Sequence, residues 1–182
     1  MRSVAGAMSS LVKEHFPDGC TGVEVGVWEG STSAGLLNRL PQLKLIMVDH
    51  WKKHPSIKGQ FWSQEKMDNC FEKARNATDF AKNRRKIMRM DSLEAAVKLE
   101  GEVFGFVFID ATHTPQALSK DLEAWGSKIS VGGLFFCDDI GGSIDRKYGC
   151  KMQRLFFAYA KENGFEEPQW LAYNVWWTLR VK

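Results

Sequence analysis

Apolar runs alternate with amphipathic stretches along the chain, and that alternation predicts its elements. Val4, Met8, Leu11, Val12 and His15 recur at helical spacing, so residues 1–16 read as an N-terminal helix laid against the domain, ended by Pro17-Asp18-Gly19. A short apolar run over residues 21–25 is a first strand. The next helix starts at Ser31 or Thr32, either of which can cap it, and Pro41 stops it. Residues 43–48 form a second strand that ends in Asp49. Met67, Cys70, Phe71, Ala74 and Ala81 give a helical stripe between residues 62 and 81, and residues 86–90 a third strand. Asp91 or Ser92 can cap a short helix through Lys98.

The run over residues 103–109 is almost wholly apolar, which suits a central parallel strand buried on both faces. Thr114 caps and Pro115 starts a helix with Leu118, Leu122, Trp125 and Ile129 on one face. Val131-Gly132-Gly133 reads as a turn into a fifth strand, residues 134–137. Met152, Leu155, Phe156 and Tyr159 mark a last helix, closed by Gly164. Residues 170–172 and 175–181 then alternate as a hairpin. Five strand–helix units with right-handed crossovers predict a doubly wound α/β fold, a three-layer α/β/α sandwich whose C-terminal hairpin adds an antiparallel edge.

Composition narrows this little. The 182 residues suit one domain over 1–182, and 44% hydrophobic with 26% charged residues is ordinary for a globular protein. A net charge of +3 is too small to imply a nucleic-acid binder. Cys20, Cys70, Cys137 and Cys150 lack CxxC spacing and read as reduced thiols in a cytoplasmic protein. No apolar run approaches the ~20 residues of a membrane span. Residues 82–89 carry five basic side chains, a solvated surface or the seat of an anionic partner. Trp176, placed on a terminal edge strand, invites a subunit contact and a homodimer.

The candidate chemistry gathers after the strands. Thr21-Gly22-Val23-Glu24-Val25-Gly26-Val27-Trp28-Glu29-Gly30-Ser31-Thr32 is a strand, a glycine turn and a helix start. Gly26 would let the backbone approach a bound molecule, and Gly30 would let the helix pack on the strand. Glu24 occupies the first glycine position of a dinucleotide fingerprint. A carboxylate there argues against pyrophosphate and favours a ligand with an ammonium or sulfonium group. Asp49 is placed to accept hydrogen bonds from ribose hydroxyls, and Asp91-Ser92 to read an adenine amino group. In a parallel sheet Asp110, His113, Asp138 and Asp139 share one edge. Crowded carboxylates of this kind suit Mg²⁺ or Mn²⁺, with His113 a further ligand or a general base. Residues 50–64 and 140–150 are candidate substrate loops, the latter glycine-rich enough to gate the site.

These motifs together resemble a class I S-adenosylmethionine-dependent methyltransferase with a Rossmann-like, mostly parallel seven-stranded sheet. Residues 24–32 resemble its first motif, and Val48-Asp49-His50-Trp51 its ribose-reading strand end. Phe108-Ile109-Asp110-Ala111-Thr112-His113 with Asp121-Leu122-Glu123-Ala124-Trp125 is similar to the I-D-G-x-H…D-L-x-x-W signature of a small-molecule O-methyltransferase subgroup. Residues 132–139 are similar to its G-G-x-x-x-x-H-D strand, although Pro115 and Cys137 depart from its tyrosine and histidine. The resemblance implies cofactor binding by Glu24, Gly26, Gly30, Ser31, Asp49, His50, Trp51, Asp91, Ser92 and Asp110. It implies a metal on Asp110, Asp138 and Asp139, and catalysis by Asp110 and His113 on a small-molecule hydroxyl. The alternative is a module that binds S-adenosylmethionine or a nucleotide without turnover and regulates a partner. The absence of an N/D-P-P-Y/F motif after the fourth strand argues against nucleic-acid methylation.

Overall fold

The computed structural model describes residues 3–55 and 61–182. Five parallel strands, β1 (Thr21–Val25), β2 (Lys44–Asp49), β3 (Arg85–Arg89), β4 (Phe104–Ile109) and β5 (Ile129–Cys137), precede the antiparallel pair β6 (Gln169–Ala172) and β7 (Val175–Leu179). They form one sheet in the order β3-β2-β1-β4-β5-β7-β6. β7 pairs antiparallel with β5, Leu134 opposite Leu179 and Cys137 opposite Trp176. Both hairpin strands thus join the sheet and complete the seven strands that the resemblance implied.

Period-two alternation sends the strand side chains into two cores. Val23, Val25, Ile46, Val48, Val107, Ile109, Phe135 and Cys137 face one side, with α4 (Ser92–Lys98), α5 (Pro115–Gly126) and α7 (Lys151–Glu162) over them. Leu45, Met47, Phe106, Phe108, Leu134 and Phe136 face the other, under α1 (Val4–His15), α2 (Ser31–Arg39) and α3 (Gln64–Ala77). Every residue of β4 is buried, as a central parallel strand requires. Full burial of each such Phe or Leu contributes about 1.5–3 kcal/mol.

Several sequence expectations shift. The stripe over 62–81 breaks after Ala77, where the Thr78 hydroxyl donates to the Ala74 carbonyl and a 3₁₀ turn, Asp79–Arg84, follows. Ile129 belongs to β5, not α5, and residues 131–133 continue that strand through an irregularity beside Phe104 and Phe106 instead of turning. Trp176 lies on β7, inside the sheet, packed edge-on to Phe157 at 5.2 Å; the edge strand is β6, with Trp170 61% exposed. The glycine-rich stretch 140–150 is not loose. It contains a short helix, α6 (Ser143–Lys147), built around Asp145, whose carboxylate is fully buried. That carboxylate accepts from the N–H groups of Gly141 (3.0 Å), Met152 (2.8 Å) and Gln153 (2.9 Å), capping α7 from outside the helix.

Of the other candidate loop, His54–Pro55 pairs with Phe61–Trp62 as a two-residue antiparallel ribbon, and residues 56–60 lie outside the described residues. Most of the basic stretch is committed internally. Arg84 donates to the carbonyls of Leu37, Leu40 and Leu43 at the end of α2, Arg85 to Arg75, Thr78 and Asp79, and Arg89 to Asp68 and Trp51. Among the described residues no helix is long and apolar enough to cross a membrane.

Candidate active site

Backbone bonds that continue the ladder past the strands set the candidate residues on one edge. The Gly26 N–H donates to Val48 (2.8 Å), Met90 to Asp49 (3.0 Å), Asp110 to Val25 (2.7 Å) and Asp138 to Ile109 (2.9 Å). Gly26 has φ +93°, and a Cβ there would lie 2.1 Å from the Asp110 carbonyl oxygen. Its absence of a side chain thus serves the crossing of two neighbouring loops. Gly30 (φ +80°) sits where α2 meets Ala74 of α3, and a Cβ there would lie 2.8 Å from that Cα, so the close approach is to a helix and not to β1. Among the described residues, five non-glycine residues adopt positive φ: Trp28, Trp51, Asp139, Cys150 and Tyr173. All lie in loops at this carboxyl edge. Each such conformation costs about 1–3 kcal/mol and is characteristic of functional sites.

Asp49 ties two of these loops together. Its Oδ2 accepts from Val27 N–H (3.0 Å) and Trp28 N–H (2.9 Å), and its Oδ1 from Trp51 N–H (2.9 Å). Glu24 lies beneath, 1% exposed, and its carboxylate accepts from the Ser33 hydroxyl. Burial pushes the Glu24 carboxyl up to about 8, against the Ser33 bond and with help from the Asp49 charge. Glu24 therefore does not line an open surface. Nor does the Trp51 side chain, which is buried edge-on to Phe71 and donates from Nε1 to the Trp28 carbonyl at 2.8 Å. His50 is partly exposed and its Nδ1 accepts from Lys52 N–H at 2.8 Å. The helix cap expected of Ser31 or Thr32 falls to Gly30, whose left-handed backbone makes the N-terminus without a side-chain bond; Ser31 is exposed on the first turn.

At the third strand end Asp91 caps α4, accepting from Leu93 N–H at 2.9 Å. Ser92 is engaged elsewhere. Its hydroxyl donates to Asp121 Oδ1 (2.5 Å) and accepts from Trp125 Nε1 (2.8 Å), which gives the D-L-x-x-W pair of α5 a role that motif spacing alone did not disclose.

The acidic residues after β4 and β5 meet as expected, together with one not foreseen. The carboxyls of Asp110 and Asp138 lie close enough to influence each other. Burial, then the neighbouring Asp138 charge, holds Asp110 well above the carboxylate range, and burial raises Asp138 as well. Asp139 is lowered, chiefly because His113 Nδ1 donates to its Oδ2 at 2.9 Å. That bond leaves His113 Nε2 turned toward Asp110 Oδ1, 4.0 Å away. Asn174, at the tip of the β6–β7 hairpin, donates from Nδ2 to Asp139 Oδ1 (3.4 Å) while its carbonyl accepts from Ile140 N–H (3.0 Å). Nothing in the local pattern around Asn174 marks it; only the pairing of β7 with β5 brings it here. Among the described residues no three His, Cys, Asp or Glu side chains are arranged to hold a metal ion.

A methyltransferase domain model matches residues 23–140, which contain the glycine turn, Asp49 and the acidic cluster. The chain belongs to this methyltransferase family. Its seven-stranded, mostly parallel sheet with a C-terminal antiparallel hairpin is that of the class I S-adenosylmethionine-dependent methyltransferases, as the resemblance implied. No match was found among curated proteins. Solved structures with this methyltransferase's fold include an O-methyltransferase from Bacillus cereus in complex with SAH (16% identity, TM-score 0.68, 99% of this chain and 82% of that one). Another is the SAH-bound Podospora anserina methyltransferase PaMTH1 (15%, TM-score 0.69, 100% and 80%). A third is an rRNA methylase from Streptococcus thermophilus (10%, TM-score 0.68, 100% and 99%). At these identities the likeness is one of fold, and the chemistry has to come from the side chains described above.

Proposed function

We propose that this methyltransferase transfers a methyl group to a hydroxyl of a small molecule, with His113 as general base. The observation that carries this reading is the His113–Asp139 pair held by Asn174 beside Asp110. Asp139 accepts from Nδ1 and so leaves Nε2 as the proton-accepting atom, and it stabilises the imidazolium once the proton arrives. Asp110, whose Oδ1 lies 4.0 Å from His113 Nε2, would flank the acceptor hydroxyl as it meets the base. S-adenosylmethionine supplies an already reactive sulfonium methyl, so the chain's task is to align the acceptor and exclude water.

The cofactor would lie along the loops that Asp49 braces. Gly26 and Gly30 shape the turn, and Asp49 still has a lone pair on Oδ1 for a ribose hydroxyl. His50 would flank the base, and Asp91 and Ser92 would meet its edge. A protonated Glu24 removes one negative charge from beneath the turn, and a bound sulfonium would favour its ionised form.

The oxygen donors of Asp110, Asp138 and Asp139 are right in kind for Mg²⁺ or Mn²⁺. Their arrangement does not fit one, because among the described residues no three such side chains converge and Asp139 is turned to His113 and Asn174. A small-molecule acceptor is also favoured over nucleic acid by the internal commitment of Arg84, Arg85 and Arg89. The test is methyl transfer to a panel of phenolic, sugar and polyketide hydroxyls. Turnover should persist in EDTA and fall about 100-fold or more in His113→Ala. Activity abolished by EDTA and restored by Mg²⁺ would instead require a metal-bound acceptor, and cofactor binding without turnover on any acceptor would favour a regulatory module.

A further inference from the structure

Ser92, Asp121 and Trp125 form a closed hydrogen-bonded chain between α4 and α5, at the end of β3 where the proposed adenine site begins. A serine hydroxyl has one proton and two acceptor lone pairs. Here the proton goes to Asp121 Oδ1 and one lone pair takes the Trp125 Nε1 proton. Neither partner can easily let go. Trp125 is fully buried, and its indole N–H has no water to turn to. Asp121 is 5% exposed, with the like charge of Asp91 as its other electrostatic neighbour. Burial, opposed by the Ser92 bond, sets the Asp121 carboxyl at about 6, so above that pH it is ionised and can only accept. The hydroxyl rotor is therefore pinned. Ser92 itself remains partly exposed, with one lone pair left over.

We infer that Asp121 is a positioning residue that fixes the polarity of the base-reading corner: it makes Ser92 acceptor-only toward the ligand, so the corner takes a purine with an exocyclic amino group and refuses one with an oxo group. An amino group can donate to the remaining lone pair. An oxo group would face that lone pair with no proton between them, and a buried acceptor left against an acceptor is the kind of mismatch by which polar sites discriminate. Trp125 contributes by holding the second lone pair, which keeps Ser92 from swinging its free acceptor elsewhere. This inference rests on the adenine placement proposed above.

The test compares S-adenosylhomocysteine with S-inosylhomocysteine, its deaminated analogue, by calorimetric titration at pH 8. The wild-type protein should prefer the adenine compound by about tenfold or more. In Asp121→Ala the freed hydroxyl proton can turn outward, so the inosine compound should gain affinity and the ratio should fall to about threefold or less. A merely structural role for Asp121 would weaken both ligands in parallel and leave the ratio where it was. Ser92→Ala, which removes the acceptor altogether, gives a second reading and should also collapse the ratio. An unchanged ratio in either variant, or a wild type with no preference, overturns the inference while leaving the cofactor site intact. Failure of the wild type to bind either compound would overturn the adenine placement as well.

Discussion

Glu24 is the residue whose ionisation the fold alters most directly among those beneath the glycine turn. Its folded-state carboxyl sits at about 8, against 4.5 for a free glutamate. Between those values the folded chain holds a proton that the unfolded chain has lost, so stability falls as pH rises through that window and levels off above about 8. Thermal melts from pH 5 to 9 should show a declining Tm in the wild type and a flatter profile in Glu24→Gln, which keeps the Ser33 bond without the ionisation. Parallel profiles would mean that Glu24 is charged at neutral pH. Asp49 works through geometry instead, as the acceptor for three N–H groups. Asp49→Ala releases the loops carrying Trp28 and Trp51 from their shared anchor, and affinity for S-adenosylhomocysteine should drop about tenfold or more. At this scale Asp49, Asp110, Asp138, Asp139 and His113 were legible, because residue type and position after a strand carry the information. Asn174 and the Ser92–Asp121–Trp125 chain were not, because each depends on contacts between segments far apart in sequence.

The elements followed from local chemistry wherever that chemistry was strong. Pro115 after Thr114 marked the start of α5, and the apolar run of β4 marked a strand buried on both faces. Stretches whose glycines looked permissive misled. Residues 131–133 sit inside β5 because Phe104 and Phe106 on the neighbouring strand accommodate the irregularity. The 140–150 stretch is ordered because one buried carboxylate gathers the N–H groups of two segments. Asp145→Ala would leave three buried or half-buried donors without that acceptor, and urea unfolding should show a loss of about 2–4 kcal/mol. A loss under about 0.5 kcal/mol, the size of an ordinary surface change, would contradict the bracing role. The same bracing implies that movement at the acceptor side of the site involves α6 as a unit rather than a free loop.

For the whole molecule, sheet order is what turns separate signals into a site. With β1 and β4 adjacent and β5 beside β4, the residues after those strands share one edge. The antiparallel return of β7 then delivers Asn174 to the same place. Counting strand–helix units predicted the parallel part, and the family resemblance supplied the seven-stranded total that both hairpin strands complete; how β7 meets β5 is a matter of tertiary pairing. Strained backbone at Trp28, Trp51, Asp139 and Tyr173 marks this edge independently of any motif. The account stands on the cofactor lying there. Titrating S-adenosylhomocysteine calorimetrically into the purified wild-type protein tests this most directly, with Asp49→Ala beside it. The account predicts saturable binding at one site per chain, clearly weakened in the variant. No binding by the wild type, or equal binding by both, would contradict it.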